Sequence, residues 1–197
     1  MSKLKLLDLR PTQFVLGMRE VEAKKKIMKE LTKKGLKEYQ RARIIPIILG
    51  PGKEPFLIDH HHYARACWEL GIHDFKFKIL KDKSDLHQTK FWNYMTAHKL
   101  VHLYDQFGLG PHTPYSLPVD IRCLGDDPFR SLVWELIFHG HITKVNEPFA
   151  EFAWTAYLRF NLRSSLHSKS DFRKVLKECA KLVRRKDAAH LPGYKKE

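Results

Sequence analysis

The chain has 197 residues, 43% hydrophobic, 12% aromatic and 29% charged, a balance that supports a buried core and excludes both a disordered polymer and several large modules. Thirty-six Lys and Arg against 22 Asp and Glu give a formal charge of +14, which favours a phosphate-bearing partner over a cationic one. The excess lies towards the ends: residues 1–58 carry 14 basic and 6 acidic groups, residues 59–162 carry 11 and 12, and residues 163–197 carry 11 and 4.

Leu4, Leu6, Leu7 and Leu9 predict a short buried strand that Pro11 ends. After Gly17 the spacing of Val21, Ile27, Met28 and Leu31 predicts one helix, with Lys24, Lys25 and Lys26 on a solvated face and Gly35 as its C-cap. Residues 43–49 and 55–58 are apolar and β-branched around the turn sequence Gly50-Pro51-Gly52-Lys53-Glu54, which predicts a hairpin with Pro46 at an edge or bulge. A helix from Tyr63 to Leu70, capped by Gly71, and a strand over 74–80 follow. Residues 86–104 then read as a helix, and residues 108–118, with two Gly and three Pro, as a long loop of the kind that is more often functional than neutral. Three further helices are expected near 128–139, 147–162 and 170–185.

The feature richest in chemistry is Leu57-Ile58-Asp59-His60-His61-His62-Tyr63-Ala64-Arg65-Ala66, a strand running directly into a helix. A helix start presents unpaired N–H groups and partial positive charge, and imidazoles there add donors for a phosphoryl group. Asp59 either caps that helix or holds a Mg²⁺ that bridges phosphates. Elsewhere, His98 and His102 have zinc-ligand spacing, but Lys99 stands where a metalloprotease pattern needs glutamate. Cys67, Cys123 and Cys179 lack C-x-x-C spacing and indicate neither a disulfide framework nor a thiolate zinc site. They fit a reducing cytosol, and no apolar run of about 18 residues marks a leader or a membrane span. No P-loop, dinucleotide fingerprint, nucleophile elbow or helix-turn-helix is evident.

Residues 7–80, with the order L-D-L-R-P-T-Q, a helix, I-I-P-I-I-L, a hairpin and L-I-D-H-H-H-Y-A-R-A, resemble the ParB/sulfiredoxin superfamily, more closely its ParB-like nuclease branch. Asp126 to Trp134 and Glu147 to Trp154 are similar to the C-terminal part of that branch. The resemblance implies an α+β fold, a ParB/sulfiredoxin-like small mixed sheet with helices followed by a helical lobe. The strand-to-helix junction cradles nucleotide phosphates in such proteins. Asp59, His61 and His62 match its D-G-H-H-R form in free-serine kinases, while His60 replaces the glycine and Tyr63 the arginine. Arg65 is the candidate substitute for that arginine.

The same resemblance assigns Gln13, Glu20 and Glu22 to the segment facing the nucleotide or second substrate, where a carboxylate can act as base; Glu20 and Glu22 are also where a helix dipole favours acids. Asp126, Asp127 and Arg130 are candidates for metal and phosphate, although Asp127 before Pro128 equally reads as an N-cap. The resulting expectation is an α/β domain over 1–82, a helical lobe over 83–190, a flexible tail over 191–197 and a phosphate site at the junction of the first two. Glu20, Glu22, Asp59 and His61 are the catalytic candidates. Gln13, His60, His61, His62, Arg65 and Arg130 are those for phosphate, and Asp59, Asp126 and Asp127 those for metal. The leading function is Mg²⁺-dependent phosphoryl transfer or hydrolysis with ATP, ADP or CTP and a small-molecule acceptor, in the cytoplasm and away from membranes. The alternative is a nucleic-acid-binding protein or nuclease whose same site grips backbone phosphates.

Overall fold

The computed structural model describes residues 4–162 and 169–196, and the chain forms two compact units, Met1–Asp126 and Asp127–Glu197. The change of character that the sequence shows near residue 82 therefore falls inside the first unit. Elements are numbered in chain order: β1 Arg10–Pro11, β2 Val15–Leu16, α1 Met18–Glu30, α2 Lys33–Arg41, β3 Ile45–Leu49, β4 Pro55–Leu57, α3 His61–Glu69, β5 Phe77–Asp82, α4 Gln88–Ala97, β6 Gly125–Asp126, α5 Pro128–Phe138, α6 Ala150–Asn161 and α7 Lys169–Leu182.

In the first unit a mixed sheet has the order β1-β4-β3-β5. The expected hairpin is its antiparallel centre, pairing Ile47 with Leu57 and Leu49 with Pro55, while β1 joins β4 and β5 joins β3 in parallel. Strand alternation divides the hairpin between two cores. Ile45, Ile47 and Leu57 face a cluster with Val21 of α1 and Tyr63 of α3. Ile48 and Phe56 face the other way, where Phe56 meets Phe91 and Trp92 of α4 at 4.8 and 5.2 Å between ring centroids. Deleting a ring such as Phe91, fully buried, would cost about 3–5 kcal/mol.

Several local expectations are corrected. Leu6–Asp8 form a 3-10 turn closed by Asp8 rather than a strand. Thr32 breaks the first long helix by accepting the Gly35 amide, so Gly35 lies inside α2 instead of capping α1. Pro46 sits in an inner strand, one residue before the register shift between Ile47 and Ile48, and its carbonyl still accepts from Ile58. The helix after residue 86 stops at Ala97, with Lys99 left-handed, and His102 instead bridges to Gln13. His98 and His102 are thus not on one helix face.

In the second unit α5, α6 and α7 bury Leu132, Leu136, Trp154, Leu158, Val175 and Cys179 against one another. The segment read as a loose tail is docked there through Tyr194. The Trp154 indole donates to the Pro192 carbonyl at 2.7 Å, the Thr143 amide donates to the Gly193 carbonyl at 2.8 Å, and Ala188 is fully buried. Among the described residues no helix is long and apolar enough to cross a membrane.

Candidate phosphate site at the start of helix α3

Leu57 ends β4 inside the core, and the chain must turn at once to bury Tyr63 and Ala64 on α3. The turn is made by His60, with φ +64° and ψ +24°, a left-handed conformation that histidine adopts more readily than most residues but that suits glycine best. This is the position where the kinase form of the superfamily carries glycine. Asp59 Oδ1 accepts the His60 amide at 2.6 Å and braces the turn. The N-cap residue His60 makes no side-chain capping hydrogen bond among the described residues, so the positive end of α3 is presented beside the exposed Asp59 and the half-buried His60.

The next two histidines are tied into the fold. His61 is buried, its Nε2 accepts the Thr12 amide at 3.4 Å, and Thr12 Oγ1 donates to the Leu57 carbonyl at 2.8 Å. Burial pushes the His61 imidazole down to about 3, so it is neutral at physiological pH and joins the end of β1 to the end of β4. His62 Nε2 accepts the Gly17 amide at 3.0 Å, and its Nδ1 lies 3.4 Å from Glu20 Oε2. That pairing requires the proton on Nδ1. Glu20 also meets Lys24 at 3.1 Å, and Asp126 Oδ1 accepts the Met18 amide at 3.0 Å. Glu20, His62 and Asp126 thus converge on the start of α1.

The remaining candidates have structural partners. Glu22 is exposed and pairs with Lys25, which also reaches Glu69 at 2.6 Å. Lys25 is therefore an ion-pair hub rather than part of a purely solvated face. Gln13 is buried and donates to the Val15 carbonyl at 2.7 Å. Arg65 donates to Glu69 at 2.7 Å and to the carbonyls of Ile121 and Arg122 at 3.2 and 3.1 Å, so its guanidinium clamps the segment before β6 onto α3.

In the second unit Asp127 is the N-cap of α5: Oδ1 accepts the Phe129 amide at 2.9 Å and Oδ2 accepts from Arg159 at 2.7 Å. Burial raises its carboxyl despite the neighbouring Arg159. Arg130 is buried, donates to Glu151 at 2.7 Å and lies 4.3 Å over the Phe152 ring. Its Nε and Nη1 are buried without a hydrogen-bond partner among the described residues.

One pair escaped sequence reasoning, which singled out its loop by length alone: His112 Nε2 lies 2.9 Å from Asp105 Oδ2. No spacing rule connects them, because their contact depends on how the loop folds back.

A small mixed sheet, a polar turn from an inner strand into a helix and a following helical lobe define the ParB/sulfiredoxin class of fold. The family model described as "Putative ParB-like nuclease" matches residues 2–160. The crystal structure of protein Atu1540 from Agrobacterium tumefaciens is similar to this chain at 35% identity and a TM-score of 0.87, over 98% of this chain and 97% of that one. No match was found among curated proteins. The chain belongs to the ParB-like nuclease family.

Proposed function

We propose that this protein grips the backbone phosphates of a polynucleotide at the β4–α3 turn and hydrolyses phosphodiester bonds there. The observation that carries the reading is the uncapped start of α3, flanked by Asp59 and His60, in a member of the ParB-like nuclease family. Backbone amides at a helix start bind phosphate oxygens without reading sequence. The charge of +14 adds the long-range attraction that dominates non-specific nucleic-acid binding.

Mg²⁺ suits this site through a single protein carboxylate. Among the described residues no three His, Cys, Asp or Glu side chains gather to hold a metal, but Mg²⁺ commonly takes one or two carboxylates plus substrate phosphates. Asp59 would hold it, because one of its oxygens braces His60 and the side chain is exposed. Bound there, the ion would neutralise charge on the phosphoryl oxygens.

The second reading is Mg²⁺-dependent transfer from ATP, ADP or CTP to a small-molecule acceptor. It is favoured by Glu20, whose carboxylate lies against His62 at the neighbouring helix start and could take the acceptor proton.

Fluorescence anisotropy with single-stranded and duplex oligonucleotides across a salt series separates the two. Polynucleotide binding should weaken with a log–log slope of about −0.7 to −0.9 per phosphate contacted, and Mg²⁺ should support cleavage. Absence of binding even at low salt, together with a melting shift from a mononucleotide, would favour the second reading.

A further inference from the structure

The Asp105 side chain makes three hydrogen bonds within one short loop. Oδ1 accepts the amides of Phe107 and Leu109 at 2.9 and 3.0 Å, and Oδ2 lies 2.9 Å from His112 Nε2. Burial opposes its charge, but the hydrogen bonds from His112, Leu109 and Phe107 outweigh that and hold the carboxyl below its usual range. An ionised carboxylate only accepts, so in the neutral imidazole the His112 proton sits on Nε2 and the lone pair on Nδ1. Nδ1 has no hydrogen-bond partner among the described residues, and the side chain is 38% exposed. A carboxylate fixing one ring nitrogen of a partly exposed imidazole is the arrangement that prepares the ring as a base.

A loop staple would not need the imidazole. The loop is already closed by the Asp105 amide on the Leu109 carbonyl, the Gly108 amide on the Asp105 carbonyl and the His112 amide on the Leu103 carbonyl, at 3.0, 3.0 and 2.8 Å. Gly110 permits that closure, since a Cβ there would lie 2.5 Å from the Leu103 carbonyl oxygen. The ring of His112 is set against Phe14, with centroids 5.3 Å apart. The segment that leads into the loop meets the phosphate site at Thr12, whose carbonyl accepts the His102 amide at 2.8 Å and whose amide reaches His61.

We propose that His112 is a catalytic base for phosphodiester hydrolysis and that Asp105 is its positioning residue; the proposal rests on the nuclease reading above. Nδ1 takes a proton from a water whose oxygen forms the new bond to phosphorus. The bond from phosphorus to the departing sugar oxygen breaks, that oxygen takes a proton from solvent, and the imidazolium returns its own to solvent. The net reaction consumes one water and yields a phosphomonoester and an alcohol.

The test uses the full chain with labelled single-stranded and duplex DNA and RNA and with bis(p-nitrophenyl) phosphate, in Mg²⁺. His112→Ala should lower kcat by about 10²- to 10⁴-fold with little change in KM or melting temperature, and added imidazole should restore part of the rate. In Asp105→Asn the amide would donate to Nε2 and move the ring proton to Nδ1, so activity should fall while ¹⁵N NMR of His112 reports the reversed tautomer. Wild-type kcat in His112→Ala would overturn the proposal and leave the nuclease reading standing. A loss of activity that imidazole does not restore, at unchanged melting temperature, would also overturn it. Failure of the native protein to cleave any of these substrates would overturn the nuclease reading and this proposal with it.

Discussion

The Gly17 amide and His62 Nε2 lie 3.0 Å apart, so one imidazole on the first turn of α3 receives the amide that begins α1. With Gly17 buried, its N–H has no water to fall back on. His62→Ala should therefore destabilise the protein by about 1–3 kcal/mol, read as a lower urea midpoint at unchanged m-value. Wild-type stability would mean that the bond contributes nothing net.

His61 carries the clearest pH signature. The unfolded chain protonates this ring below about 6.5, whereas the folded protein resists protonation down to about 3. Stability from this group is complete above pH 6.5 and is lost as pH falls towards 3, at up to about 1.4 kcal/mol per pH unit. His61→Gln should remove that part of the slope in urea unfolding followed from pH 7 to pH 4. An unchanged slope would place the acid sensitivity elsewhere.

His60 holds a left-handed conformation at φ +64°, which costs an L-residue about 1–2 kcal/mol. Part of that is offset in glycine by its greater unfolded-chain entropy. His60→Gly should raise stability by up to about 1 kcal/mol, and His60→Val should lower it by at least as much. If the glycine variant is less stable, the edge contact between the His60 and Tyr63 rings, 6.4 Å between centroids, outweighs the strain.

Truncation after Arg185 removes the Pro192 carbonyl that receives the Trp154 indole, together with Leu191 and Tyr194, which pack on the second-unit core. A buried donor left unpaired costs about 1–3 kcal/mol, and lost apolar burial adds to it. The shortened protein should melt at lower temperature, with the Trp154 environment changed in fluorescence. Melting equal to that of the full chain would show the docked segment to be energetically neutral.

The Asp59-to-Arg65 junction, the hairpin and the three late helices were legible in the sequence, because each depends on neighbours a few residues away: apolar, β-branched runs over 43–49 and 55–58, turn chemistry at 50–54, and helical spacing with Asp127 and Pro128 at a helix start. The fate of the individual side chains was not. His61, His62 and Arg65 read alike as phosphate candidates. Their partners in the fold are Thr12, Gly17 and the carbonyls of Ile121 and Arg122, 45 to 57 residues away along the chain. The pairing of His112 with Asp105 and the parallel match of Val15 with Gly125 were likewise settled by tertiary structure. A residue's own chemistry states what it can bond to, but which of those bonds it makes is set by the groups that long-range packing brings beside it.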